Sequence, residues 1–133
     1  MLLGPTVAAA SSAPDPIEGH YLGADPPAAT LEVRRDGHGY LVRLEGGSPP
    51  DPPAGAPADC TILARGPLEG GTLRARFGPI ESEIFSYGPA EAEREGRTVE
   101  IAFVASAAEV IAADTFGYCG LGVEFRGRYR RER

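Results

Sequence analysis

Thr30-Leu31-Glu32-Val33-Arg34-Arg35-Asp36-Gly37-His38-Gly39-Tyr40-Leu41-Val42-Arg43-Leu44-Glu45 decides the fold class. Leu31 and Val33 alternate with Glu32 and Arg34, and Tyr40, Val42 and Leu44 alternate with Leu41, Arg43 and Glu45. A spacing of two is that of a strand with one face buried. Between the two runs, Asp36-Gly37-His38-Gly39 supplies the glycines that a tight turn needs for positive φ. The stretch therefore predicts a β-hairpin with Tyr40, Val42 and Leu44 on its inner face.

The same alternation recurs to either side. Ile17–Gly23 reads as the first strand, and Asp59–Arg65 as the strand after the hairpin. Thr72–Phe77 follows, with Leu73, Ala75 and Phe77 inward and Arg74 and Arg76 outward. Arg97–Val104 is a further strand. Glu109–Asp114 pairs with it through Ala105–Ala108, although its alanines leave a short helix open. Val123–Arg130 is the last strand, placing Phe125 and Tyr129 inside and Arg126, Arg128 and Arg130 outside. Gly46–Ala58 contains Pro49, Pro50, Pro52, Pro53 and Pro57 and must be a loop, because proline cannot donate to a ladder. Gly and Pro together make up 31 of the 133 residues, a density that suits short strands and turns. These readings predict an all-β domain, an antiparallel barrel of about eight strands. Gly19-His20-Tyr21 and Gly127-Arg128-Tyr129 match at its two ends. They suit a seam where the first strand meets the last, with glycine letting each strand coil and tyrosine filling the interior.

Residues 1–16 stand apart from this pattern. Ala8-Ala9-Ala10 and Ala10-Ser11-Ser12-Ala13 resemble the small-residue zone of a signal peptide, without a basic start. The expectation is a signal-peptide remnant or a disordered tail on residues 1–16, then a single domain over 17–133. No apolar run is long enough to cross a bilayer as a helix. Cys60 and Cys119 read most simply as one disulfide in a small exported domain, with two buried free thiols as the alternative. Such a loop would stabilise the fold by about 4 kcal/mol in the chain-entropy picture. The compartment expected is periplasmic or secreted.

The net charge is −6 and every basic residue is Arg. Residues 126–133 carry five Arg and one Glu, a net of +4, which leaves −10 on the rest. So acidic a surface repels phosphate backbones and attracts basic partners, so no nucleic-acid partner is expected. Conventional catalysis has little support. His20 and His38 are the only histidines, and His38 lies in a hairpin turn. No serine sits in a nucleophile elbow, and no Cys/His spacing offers a metal site. Gly117, Gly120 and Gly122 lack the order of a dinucleotide fingerprint. The expectation is a protein that is not an enzyme and needs no metal or cofactor.

Gly78–Gly96 is the segment of functional interest. Glu81, Glu83, Glu91, Glu93 and Glu95 face a single Arg there, with Ile84, Phe85 and Tyr87 interleaved. Aromatic anchors in a field of one sign suit recognition of an oppositely charged protein. Glu81, Glu83, Phe85, Tyr87 and Glu91 are the candidate contacts. A helical turn is open to Ala90–Glu95. If extended instead, Glu91, Glu93 and Glu95 share one face. The other reading makes Ile84 and Phe85 core residues and the glutamates a solvated edge.

Cys119-Gly120-Leu121-Gly122-Val123-Glu124-Phe125-Arg126-Gly127-Arg128-Tyr129, with Cys60 on an earlier strand, resembles small exported bacterial β-barrels that include the periplasmic c-type lysozyme inhibitors. The resemblance covers the strand and turn layout of residues 17–131. Those inhibitors share a Ser-Gly loop motif followed by a Tyr that enters the lysozyme cleft; here Ser86-Tyr87-Gly88 has a different order. The resemblance implies an acidic barrel that plugs a basic enzyme, with Glu81, Glu83 and Tyr87 at the contact. The alternative is a calyx-type carrier of a small apolar ligand.

Overall fold

The structure, a computed structural model, describes residues 15–25, 29–47, 59–81, 86–119 and 123–132. In chain order the elements are β1 (Gly19–Asp25), β2 (Thr30–Asp36), β3 (Gly39–Gly47), β4 (Asp59–Gly66), β5 (Leu68–Glu69), β6 (Thr72–Phe77), β7 (Ile80–Glu81), β8 (Ser86–Tyr87), α1 (Pro89–Glu95), β9 (Thr98–Val104), β10 (Ala107–Ala113) and β11 (Gly127–Arg131). Eight of the strands form a closed antiparallel barrel in the order β4-β3-β2-β1-β11-β10-β9-β6, and β6 returns to pair with β4. The short β5 folds back on β6, and β7 and β8 form a separate two-stranded ribbon.

The hairpin read from Thr30–Glu45 is present, with Leu31 opposite Leu44 and Val33 opposite Val42. Its inward side chains join Ile62, Leu73, Val99, Ile101 and Val110 in one buried core. Each such aliphatic side chain contributes about 1.5–3 kcal/mol by leaving water. Glu109–Asp114, for which a helix was open, is the strand β10. It follows β9 through a tight turn at Ala105 and Ser106, with Ala105 at φ +55°.

The barrel closes in two places. At β4 and β6, Ala64 lies opposite Phe77 and Arg65 opposite Arg76. Gly66 permits this approach: a Cβ there would sit 1.8 Å from the Arg74 carbonyl oxygen. At β1 and β11, Tyr21 lies opposite Arg131 and Gly23 opposite Tyr129. The matched glycines of this seam are in unusual backbone, Gly19 at φ +149° and Gly127 at φ +143°. Residues with a Cβ rarely adopt that region. Each bend lets the tyrosine two residues on reach back along its own strand. The Tyr21 hydroxyl donates to the Ile17 carbonyl at 2.7 Å, and the Tyr129 hydroxyl to the Phe125 carbonyl at 2.7 Å. Ile17 and Phe125 are themselves buried. The repeated unit is thus five residues long, Ile17-Glu18-Gly19-His20-Tyr21 and Phe125-Arg126-Gly127-Arg128-Tyr129.

These bends also correct the expected strand limits. The first and last strands start at Gly19 and Gly127, later than Ile17 and Val123, because the residues before each glycine turn inward to meet the tyrosine. Asp15 and Pro16 also contact the barrel. The Asp15 carboxylate accepts from the backbone N–H of Ile17 at 2.9 Å and from the Tyr40 hydroxyl at 3.0 Å, and pairs with Arg35 at 3.2 Å. Arg131 donates to the carbonyls of Pro16 and Glu18. Burial alone would raise the Asp15 pKa, but hydrogen bonds from Ile17, Tyr40, Glu18 and Arg35 outweigh it and hold the carboxyl below its ordinary value. The remainder of the expected tail, residues 1–14, lies outside the described residues.

Gly127→Ala should destabilise the protein by about 1–3 kcal/mol, the cost of forcing a Cβ into that backbone region. Tyr129→Phe should cost about 1–2 kcal/mol, because the Phe125 carbonyl loses its buried donor. Urea unfolding measures both, and an unchanged midpoint for either would contradict the seam geometry.

Candidate partner-binding site

The ribbon, α1 and the turn at 114–119 sit together at the barrel end that holds the disulfide. In the ribbon Ile80 pairs with Tyr87 and Glu81 with Ser86. Glu81 and Ser86 are exposed, whereas Tyr87 is only 5% exposed. Tyr87 turns inward to a row of rings. Its ring centroid is 4.8 Å from that of Tyr118, which lies 5.0 Å from that of Phe77. The Tyr118 hydroxyl donates to the Thr61 carbonyl on β4 at 2.9 Å.

Helix α1 begins with Pro89 at its first position, where a missing N–H costs nothing. The Glu91 carboxylate accepts from the Gly88 backbone N–H at 2.9 Å and closes that end. Gly96, at φ +60°, ends the helix and donates to the Ala92 carbonyl. In the helix Glu91 and Glu95, four apart, lie on one side and Glu93 is turned away from them, whereas in a strand all three would share a face.

Arg97 joins these pieces. Its side chain is 14% exposed, and its Nε donates to Glu95 at 2.6 Å. Its Nη1 reaches the Phe116 carbonyl at 2.7 Å and the Asp114 carboxylate at 3.3 Å. The guanidinium also lies over the Tyr118 ring, 5.8 Å from the centroid. Glu95 accepts a further bond from the Tyr87 hydroxyl at 3.2 Å. The hydrogen bond from Arg97 holds the Glu95 carboxyl below its ordinary value. Burial, then the bond to Glu95, raises the Tyr87 phenol, and burial pushes the Tyr118 phenol up to about 12. Cys119, next to Tyr118, is bonded to Cys60 at the start of β4, so the free-thiol alternative is excluded.

The candidate contacts therefore separate. Glu81 and Glu91 are on the outside, although Glu91 is held by its capping bond. Tyr87 is buried, with its ring against Tyr118 and its hydroxyl donating to Glu95. Glu83 and Phe85 lie outside the described residues. Arg97, Tyr118 and Phe116 were not marked by sequence reasoning; Phe116 is 91% exposed on the turn that Arg97 holds. A signal for Tyr118 existed, since the residue beside a cross-linked cysteine is fixed against the partner strand. His20 faces outward from β1, 3.7 Å from Glu32. Among the described residues no group of three or more His, Cys, Asp and Glu side chains is placed to hold a metal ion. No described helix is long and apolar enough to cross a membrane.

Comparison of the chain with protein-family models, with curated proteins and with solved structures finds no match.

The raised Tyr118 pKa favours the neutral phenol in the folded state. Its contribution to stability is complete below the ordinary tyrosine value of about 10 and is lost as pH rises through about 12. Urea midpoints should therefore fall across that window, and Tyr118→Phe should reduce the fall, other buried tyrosines supplying the remainder. An identical pH dependence in the variant would contradict the half-buried placement of this phenol.

Proposed function

We propose that this chain is a non-catalytic exported binding protein that engages a basic protein through its acidic ribbon and the adjoining edge of α1. The partner class suggested by the sequence resemblance is a basic cell-wall hydrolase of the lysozyme type. The observation that carries this reading is the mounting of the ribbon. Glu81 stands exposed on a two-stranded projection whose base is fixed by Tyr87 against Tyr118 and Phe77. A charged projection on a rigid base loses little conformational freedom when it binds, which favours affinity. The exposed Glu93 on α1 adds to the same field. Opposite charge then steers the encounter and makes it sensitive to salt.

The packing of the interior favours this reading over the calyx-type carrier. Leu31, Val42, Leu44, Ile62, Leu73, Ile101, Phe125 and Tyr129 are each at most 1% exposed. Among the described residues, side chains occupy the space a carried ligand would need. Oxidising conditions after export suit the Cys60–Cys119 bond.

Titration calorimetry of the oxidised chain with a c-type lysozyme should show binding at low salt that weakens as salt is added. Glu81→Gln with Glu83→Gln should weaken it by about tenfold, the range of lost charge pairing at an interface. No binding at low salt would overturn the proposed partner class.

A further inference from the structure

We propose that the Cys60–Cys119 disulfide is a redox-set clamp on the acidic ribbon: forming it organises β8 and α1 through Tyr118, and reducing it loosens them while the barrel stays closed. Its consequence for a partner rests on the binding role proposed above; the clamp itself rests on geometry alone.

The ribbon has little order of its own. Among the described residues its strands pair with each other, two residues to a strand, and its root is joined to the barrel by the Gly78 N–H bond to the Leu63 carbonyl at 2.7 Å. Isolated two-stranded ribbons are marginal in water. What fixes this one is the inward ring of Tyr87, and that ring rests on Tyr118. Tyr118 in turn belongs to no strand. It stands in the turn after β10, whose ties to the barrel wall include the adjacent disulfide, the Tyr118 hydroxyl on the Thr61 carbonyl, the Tyr118 ring on Phe77, Arg97, and the Asp114 N–H on the Thr98 carbonyl. The covalent tie is the strongest of these and is next in sequence to the ring that holds the ribbon. Closure of the barrel uses other contacts, β1 with β11 and β4 with β6, and involves neither cysteine.

The chemistry is thiol–disulfide exchange with a dithiol. Cys60 is buried and Cys119 is half-buried, so attack on Cys119 is the less hindered route. A thiolate of the dithiol attacks Cys119 Sγ, the S–S bond breaks, and Cys60 leaves as a thiolate that takes up a proton. The second thiol of the reagent displaces Cys119, giving two protein thiols and one oxidised, cyclic reagent. Two electrons pass to the protein. The reverse exchange with an external disulfide closes the clamp. In a thiol-rich compartment the ribbon would be loose, and in an oxidising one it would be set.

Hydrogen–deuterium exchange on the full chain tests this, before and after dithiothreitol. The fragment covering 86–96 should exchange about tenfold faster after reduction, whereas the fragment covering 39–47 in β3 should not change, because local opening is read fragment by fragment. Tyr118→Ala with the disulfide intact should loosen 86–96 in the same way, and unfolding of the whole chain on reduction would overturn the clamp. Unchanged exchange of 86–96 in Tyr118→Ala, or after reduction of a still-folded chain, would overturn the clamp. Lysozyme binding reports separately. Loosening of 86–96 without lysozyme binding by the oxidised chain would sink the partner class and leave the clamp standing. Lysozyme binding of equal strength before and after reduction, with 86–96 unchanged, would do the opposite.

Discussion

The structure depends on one constraint: the first and last strands must meet, so that no edge of the sheet is left unpaired. An open sheet of this size would expose backbone N–H and C=O groups along two margins. The chain meets the constraint with one local device used twice. A glycine in backbone that other residues rarely adopt bends the strand, and a tyrosine two residues later reaches back to the carbonyl two residues before that glycine. The tyrosines fill the interior with apolar rings while their hydroxyls satisfy buried carbonyls. Buried polar groups are tolerated only on such terms. Arg131 then draws residues Asp15–Glu18 across one end.

The opposite end is built on different physics. Its elements are short and pair little with the barrel, so side chains hold them. Arg97 ties Glu95, Asp114 and the Phe116 carbonyl into one cluster, and the rings of Phe77, Tyr118 and Tyr87 run beneath it. A guanidinium suits this role because its donors radiate in a plane and its face lies against an aromatic ring. The disulfide fixes the turn that carries Tyr118. Order at this end is therefore conditional on a few contacts, whereas order in the barrel is spread over a whole core. That contrast is why the proposed partner-facing surface and the proposed redox-dependent device are both assigned to this end.

The barrel was legible in the sequence because its signal is local. Period-two alternation in Leu31–Val33 and Tyr40–Leu44 states which side chains face inward, and the turn glycines state where the chain reverses. The two Gly-x-Tyr matches pointed to the seam. Their extension to five residues was not legible, since the pairing of Ile17 with Tyr21 and of Phe125 with Tyr129 follows from a backbone angle. The site was less visible still. Tyr87 looked like a contact residue because it lies in an acidic segment. Its burial follows from Tyr118, 31 positions away, which alternation does not reveal. Arg97 looked like the first residue of a strand, and its role appears only when α1 and the turn at 114–119 converge on it. The helical turn over Ala90–Glu95 was one of two readings, and Pro89 and Gly96 decide it by starting and stopping the helix.

Closure of the barrel at β1 and β11 is the claim on which the rest stands. Nuclear Overhauser spectroscopy of the oxidised chain tests it directly. Cross-strand contacts should connect Tyr21, Leu22 and Gly23 with Arg131, Arg130 and Tyr129 in antiparallel register. Absence of these contacts, with fast amide exchange along both strands, would mean an open sheet and would contradict the account.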